Sequence, residues 1–169
     1  MPIDIDKLMR FKVPEIQQEL SARDIAFYAL SVGMGREPAE EGSLRFADPL
    51  RGPEIMPSMV LVMAHPGFWL GDPSSGVDPK AVLHAAQGFE IVGEVPQSGL
   101  VRSRTQVRDV IDKGPGKAAL ILSETELLDA LGSVFARLDR TTFIRGGGGF
   151  GGKDAAKVAM DDEPVGPPD

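Results

Sequence analysis

From Ala81 to Ile144 the apolar residues of this chain recur at every second position, and the breaks in that rhythm are short and rich in turn formers. Val101, Ser103, Thr105 and Val107 alternate with Arg102, Arg104, Gln106 and Arg108, which describes a strand with one wet face. A run from Val82 to Val95 precedes it, and Gly114-Pro115-Gly116 turns the chain into a third run from Ala118 to Thr125. Asp129 to Gly132 makes a looser turn into a fourth, Ser133 to Ile144. Four long strands with short reversals predict an antiparallel meander, which needs an apolar cover for its dry face.

The chain upstream offers that cover. Ser21 with Asp24 three residues on has the form of a helix start, and Ile25, Tyr28, Ala29 and Val32 share one face of a predicted helix over 22–32. Gly33 and Gly35 stop it. Residues 36–55 read as a loop holding a short strand at Leu44-Arg45-Phe46. Pro57 suits a first helical turn, and Ser58 to His65 is apolar nearly all round, as a buried helix is. Pro66 and Gly67 end it, and Phe68-Trp69-Leu70 leads into a turn-rich loop reaching Pro79.

With 42% hydrophobic residues, the 169-residue chain can bury a single core. Residues 1–145 are expected to form it, and 146–169, rich in glycine and proline and poor in large apolar groups, to be a linker or tail. A formal charge of -7 without a basic stripe speaks against nucleic acid as a partner. No cysteine means no disulfide framework and no thiolate ligand or nucleophile. The N-terminal residues lack a secretory apolar core, and the longest apolar run, Met59 to Ala64, is too short to span a bilayer. Val165 to Asp169 is no peroxisomal address. A soluble cytoplasmic protein without membrane contact is the expectation.

Gly147 to Lys153 spells G-x-x-x-x-G-K, and Gly147 to Gly152 spells G-x-G-x-x-G. A phosphate loop needs Ser or Thr after the lysine, where Asp154 stands, and a helix next, so a glycine turn is expected instead. His65 is expected to pack or cap. With two histidines, no cysteine and no acidic calcium loop, no metal is expected. No G-x-S-x-G is present. His84, with Gln87 near it, and Lys113 at the mouth of the Gly-Pro-Gly turn are the groups able to converge on a phosphate or amide ligand.

Three separated motifs in order, Val82-Leu-His84-Ala-Ala-Gln87-Gly-Phe-Glu90, Asp112-Lys113-Gly-Pro-Gly116 and Arg145-Gly-Gly-Gly-Gly-Phe150-Gly-Gly-Lys153, resemble the N-terminal half of the type 2 (R)-specific enoyl-CoA hydratases. These are MaoC-like double hot-dog enzymes of fatty acid metabolism. The resemblance runs from about Ser21 to Asp169. It implies an α+β hot-dog fold, an antiparallel sheet wrapped around a central, mostly apolar helix. It implies hydration of 2-enoyl-CoA to (R)-3-hydroxyacyl-CoA without a cofactor, by an Asp and a His in the family's C-terminal half.

The motif carrying that pair, Tyr-x-Leu-Ser-Gly-Asp-x-Asn-Pro-Leu-His, does not occur here. Tyr28-Ala-Leu30-Ser31-Val-Gly33-Met-Gly-Arg-Glu-Pro38 looks like a decayed copy without the Asp or His, and Pro164 to Asp169 resembles the linker before the catalytic half. By resemblance the chain therefore has no catalytic residue of its own. His84, Ala85 and Lys113 match the family's CoA-binding positions, although Ala85-Ala86 stands where the family commonly has Gly-Glu. The resemblance makes His84 and Lys113 one CoA-facing surface on adjoining strands. The implied partners are an acyl-CoA thioester and a catalytic hot-dog domain or subunit, in a homo- or hetero-oligomer. A stand-alone acyl-CoA or acyl-carrier binding module is the alternative. A self-sufficient thioesterase-like hot-dog would need Glu54, Asp72 or Asp78 in the cleft.

Overall fold

The structure is a computed structural model that describes residues 2–36 and 41–152, without the side chain of Glu41. Its centre is one five-stranded, wholly antiparallel sheet made of β1 (Ile16–Leu20), β2 (Val82–Ile91), β3 (Gly99–Asp112), β4 (Ala119–Leu128) and β5 (Val134–Ile144). The four long strands stand where the alternation places them, but their order is β1-β3-β4-β5-β2. The meander holds only from β3 to β5.

β2 crosses to the far edge and pairs with β5, from Val82 opposite Ile144 to Ile91 opposite Ala136. Residues 92–98, with Pro96 among them, are too long for a two-residue hairpin. The other edge of β3 is taken by β1, a short strand that the sequence reading left out. Period two identifies a strand but says nothing about its neighbour.

Ala22–Ser31 forms α2, with the capping box in place: Ser21 Oγ accepts from Asp24 N, and the Asp24 carboxylate accepts from Ser21 N at 2.9 Å. Ile25, Ala26 and Ala29 are buried, whereas Val32, expected on that face, is exposed. Leu44 to Phe46 is no strand. It lies in a helix, α3 (Glu41–Ala47), packed against α2, because three alternating residues are too few to separate the two periods. A first short helix, α1 (Ile5–Arg10), capped by Asp4, was not foreseen.

The buried helix expected over 58–65 is a single 3-10 turn, Pro57–Leu61. Ala64 takes a left-handed backbone, φ 43°, and its peptide groups are claimed from outside: Gln18 Oε1 accepts from Ala64 N at 2.6 Å, and Ser103 Oγ donates to Ala64 O at 2.6 Å. These side chains of β1 and β3 pull the segment out of helix. It remains the centre of the core. Met59, Val60, Met63 and Ala64 pack with Leu20, Ile25, Val101, Leu127, Phe135 and Leu138. A second cluster joins Leu8, Trp69, Leu70, Val110, Ile121 and Ile144. Each large side chain so buried contributes roughly 1.5–3 kcal/mol.

Residues 146–152, expected to begin a linker, pack against this second cluster through Phe150, and Ile3 N donates to Gly147 O at 3.0 Å. Beyond Gly152, the expected linker with its Asp161-Asp-Glu163 run, Lys153 and Asp154 lie outside the described residues, as do Glu37 and Pro38. Among the described residues no helix is long and apolar enough to cross a membrane, and no cluster of acids and histidines is arranged to hold a metal.

Candidate functional site

His84 stands on β2 with its side chain exposed, opposite Thr142 of β5. The next ladder pair is Ala86 with Thr141, so Ala85 is an extra residue, a β-bulge, without a partner in β5. A bulge of this kind leaves backbone polar groups out of the ladder and re-aims its neighbours. The two residues matched to the family's first binding motif are thus the two at which this edge strand is irregular.

Lys113 follows β3, half-buried, and its N–H donates to Ala118 O at 3.1 Å, closing the Gly-Pro-Gly turn. Behind it lies a feature the sequence reading did not isolate. The buried carboxylate of Asp112 accepts four backbone N–H groups: Gly114 at 2.8 Å and Gly149 at 2.7 Å on Oδ1, and Gly151 at 2.9 Å and Gly152 at 3.2 Å on Oδ2. These donors, that of Gly149 first, hold its pKa below the ordinary carboxylate range against the cost of burial. The glycine run that spells a phosphate loop therefore does bind an anion, and the anion is the protein's own. Gly148 passes so close that a Cβ there would lie 2.6 Å from Gly114 O and 2.7 Å from Ala118 O. Gly149 has φ +97°. An aspartate two residues before Gly114-Pro115-Gly116, followed later by a glycine run, was the available signal.

His84 and Lys113 are not on adjoining strands. β5 and β4 separate them, although Val82, Ile144, Ala119 and Asp112 form one cross-sheet row and bring both to the same end of the sheet. Three strand spacings across the sheet and three residues along it put them roughly 17 Å apart.

Beside His84 is a cavity of about 270 Å³ whose walls include Phe68, Trp69, Leu70, His84, Arg140 and Thr142. Arg140 also lines a chamber of about 20 Å³ deeper under the sheet, with His65, Gln87, Thr105, Ser123 and Thr125. His65 Nδ1 accepts from Gly67 N at 3.0 Å, so the histidine caps a turn as expected. Burial first, and then the charge of Arg140, hold its pKa below the usual histidine value. Arg140 went unnoticed in the sequence. Its signal was a cation in phase with Leu138, Thr142 and Ile144, the inward positions of β5.

The carboxylates a thioesterase would need are elsewhere. Asp72 accepts from Ser74 N and Oγ, which lowers its pKa and ties it into a turn; Asp78 caps Lys80 N; Glu54 pairs with Arg45 at 3.9 Å. None lines the His84 cavity. A more open hollow of about 680 Å³ lies against α1, where Lys7 pairs with Asp4 at 3.4 Å.

Residues 19–146 match the family described as the MFE-2 hydratase 2 N-terminal domain. The chain is 34% identical over 160 residues to enoyl-CoA hydratase ChsH3 of Mycobacterium tuberculosis, covering 90% of this chain and 54% of that protein. It thus spans about half the length of this relative. The crystal structure of a MaoC-like dehydratase from Phytophthora capsici superposes with a TM-score of 0.62 at 26% identity, over 99% of this chain and 58% of that one. A chain of the Mycobacterium tuberculosis ChsH1-ChsH2 complex shares the fold, with a TM-score of 0.55 at 13% identity, over 91% of this chain and 95% of that one. The sheet is thus that of the MaoC-like hot-dog dehydratases, and the chain belongs to the MFE-2 hydratase 2 N-terminal domain family.

Proposed function

We propose that this chain is the acyl-CoA-binding, non-catalytic half of an (R)-specific 2-enoyl-CoA hydratase, completed by a second hot-dog that carries the Asp/His pair. The observation that carries the reading is the Ala85 bulge. It frees a backbone N–H beside His84, on the sheet edge that faces solvent, at the same end of the sheet as Lys113. A chain bearing phosphates at one end and amides along its length can use an ammonium at Lys113 and a backbone donor at Ala85 roughly 20 Å apart.

The edge itself supports the partner. Among the described residues β2 pairs only with β5, and every residue of it after Val82 is exposed, Leu83 at 43%, Phe89 at 41% and Ile91 at 39% among them. An edge ten residues long with apolar side chains invites another strand. A chain similar in fold belongs to the ChsH1-ChsH2 complex. Here the second hot-dog supplies both the missing chemistry and the cover for β2.

Hydration of crotonyl-CoA tests this. The chain alone is expected to be no faster than buffer, and addition of a catalytic hot-dog half to restore turnover; turnover by the lone chain overturns the proposal. The second reading, a stand-alone acyl-CoA or acyl-carrier binding module, is favoured if a monodisperse homodimer binds acyl-CoA in calorimetry and the catalytic half adds nothing.

A further inference from the structure

The concave face of the sheet is not uniformly apolar. Between the two hydrophobic clusters a polar band crosses it: Ser103 and Thr105 on β3, Thr125 and Ser123 on β4, Arg140 and Thr142 on β5, Gln87 and His84 on β2. The band is satisfied at its β3 end, where Thr105 and Thr125 share a hydrogen bond of 2.7 Å and Ser103 holds Ala64. At its β2 end it is not. Arg140 Nη2 reaches Gln87 Oε1 only at 3.4 Å, and its Nε is buried without a partner. Among the described residues no carboxylate pairs with this guanidinium, although the protein carries 25 acidic residues. A half-buried guanidinium beside a cavity, with its Nε buried and unpartnered and no carboxylate opposite it, is placed to take an anion.

We infer that the cavity enclosed by Phe68, Trp69, Leu70, His84, Arg140 and Thr142 is a binding site for an amphipathic anion, held by Arg140 at its phosphate and by the aromatic and aliphatic floor at its apolar part. The guanidinium fork suits an anion with two oxygens to present, and His84 and Thr142 add hydrogen-bonding groups to the same rim. About 270 Å³ accommodates a headgroup with a short chain but not a whole coenzyme. The phosphate belongs either to an acyl-CoA, which would then seat a phosphate at Arg140 in place of Lys113, or to an unrelated alkyl phosphate; only the first source rests on the acyl-CoA binding proposed above.

Trp69 is the sole tryptophan and lines the cavity, so its fluorescence reports occupancy directly. Octyl phosphate is expected to shift the emission of the intact chain, and octanamide, of similar size and no charge, to do so at least tenfold less effectively. R140Q is expected to weaken octyl phosphate at least tenfold and R140K to retain most of the affinity, with the octanamide response unchanged. R140M serves as the folding control: with a half-buried cation that no carboxylate neutralises removed, it is expected to unfold at the same temperature as the unaltered chain or higher. Equal binding of octyl phosphate by the unaltered chain and R140Q, or no binding by either, overturns the inference. Decanoyl-CoA and decanoyl-pantetheine then separate the sources. A tenfold loss in R140Q for the first alone assigns the phosphate to the coenzyme. Equal loss for both transfers Arg140 to the thioester and overturns the anion assignment. Arg140-dependent octyl phosphate binding without any acyl-CoA binding leaves the inference standing and removes the proposed function.

Discussion

The two ends of the candidate site are built in opposite ways. At the Lys113 end the backbone is locked: a buried carboxylate gathers four amides, and a glycine threads between two carbonyls with no room for a methyl group. At the His84 end it is open, an edge strand interrupted by a bulge and exposed along its length. One end is fixed by the chain's own contacts; the other offers an exposed edge. The contrast shows that this fold concentrates its polar contacts around the Gly-Pro-Gly turn and leaves the β2 edge with few.

Substitutions at the two ends are expected to separate stability from association. The largest fall in thermal stability comes from Asp112→Ala, which leaves amides of both the turn and the glycine run without an acceptor; its unfolding midpoint is expected to drop on the order of 10 °C in calorimetry. If the midpoint is unmoved, the closed end is not closed by this carboxylate. Gly148→Ala forces the same clasp apart sterically and is expected to cost about 1–3 kcal/mol in urea titration.

Acid titration sharpens the cause. The folded pKa of Asp112 is depressed, so its contribution is present above the unfolded value, about 3.9, and is lost as pH falls through the lower folded value. The stability gap between the unaltered chain and Asp112→Asn is therefore expected to be constant near neutrality and to shrink only below about pH 4; a gap that closes at pH 6 would point to another group.

Phe89→Lys at the open end is expected to change the lone chain's stability by less than about 0.5 kcal/mol while abolishing association with a catalytic half in analytical ultracentrifugation. Smallest of all, His84→Ala is expected to leave the unfolding midpoint within error and to act only on acyl-CoA affinity. A large fall in its stability would show that the edge is not open.

The four long strands, the capping box and the family were legible because each rests on local pattern: alternation, a serine and an acid at fixed spacing, three short motifs in order. What was not legible depends on contacts distant in sequence. The placement of β2 beside β5 follows from β1 occupying the other edge of β3, and β1 is only five residues long. The apolar run 58–65 reads as helix until Gln18 and Ser103 claim Ala64 from other strands. Arg140 was visible as one cation in a strand, but its lack of a carboxylate is a property of the packed face.

The clasp at Asp112 also bears on where this domain ends. It ties residue 112 to residues 149, 151 and 152, closing a loop that contains all of β4 and β5, whereas the family match stops at 146. Because loop-closure entropy grows only slowly with length, a latch across this span costs little more than one across a short turn. Cutting the chain at the family boundary would remove the donors and keep the buried acceptor. A truncation at 146 is therefore expected to be less stable than one at 152, which keeps the clasp.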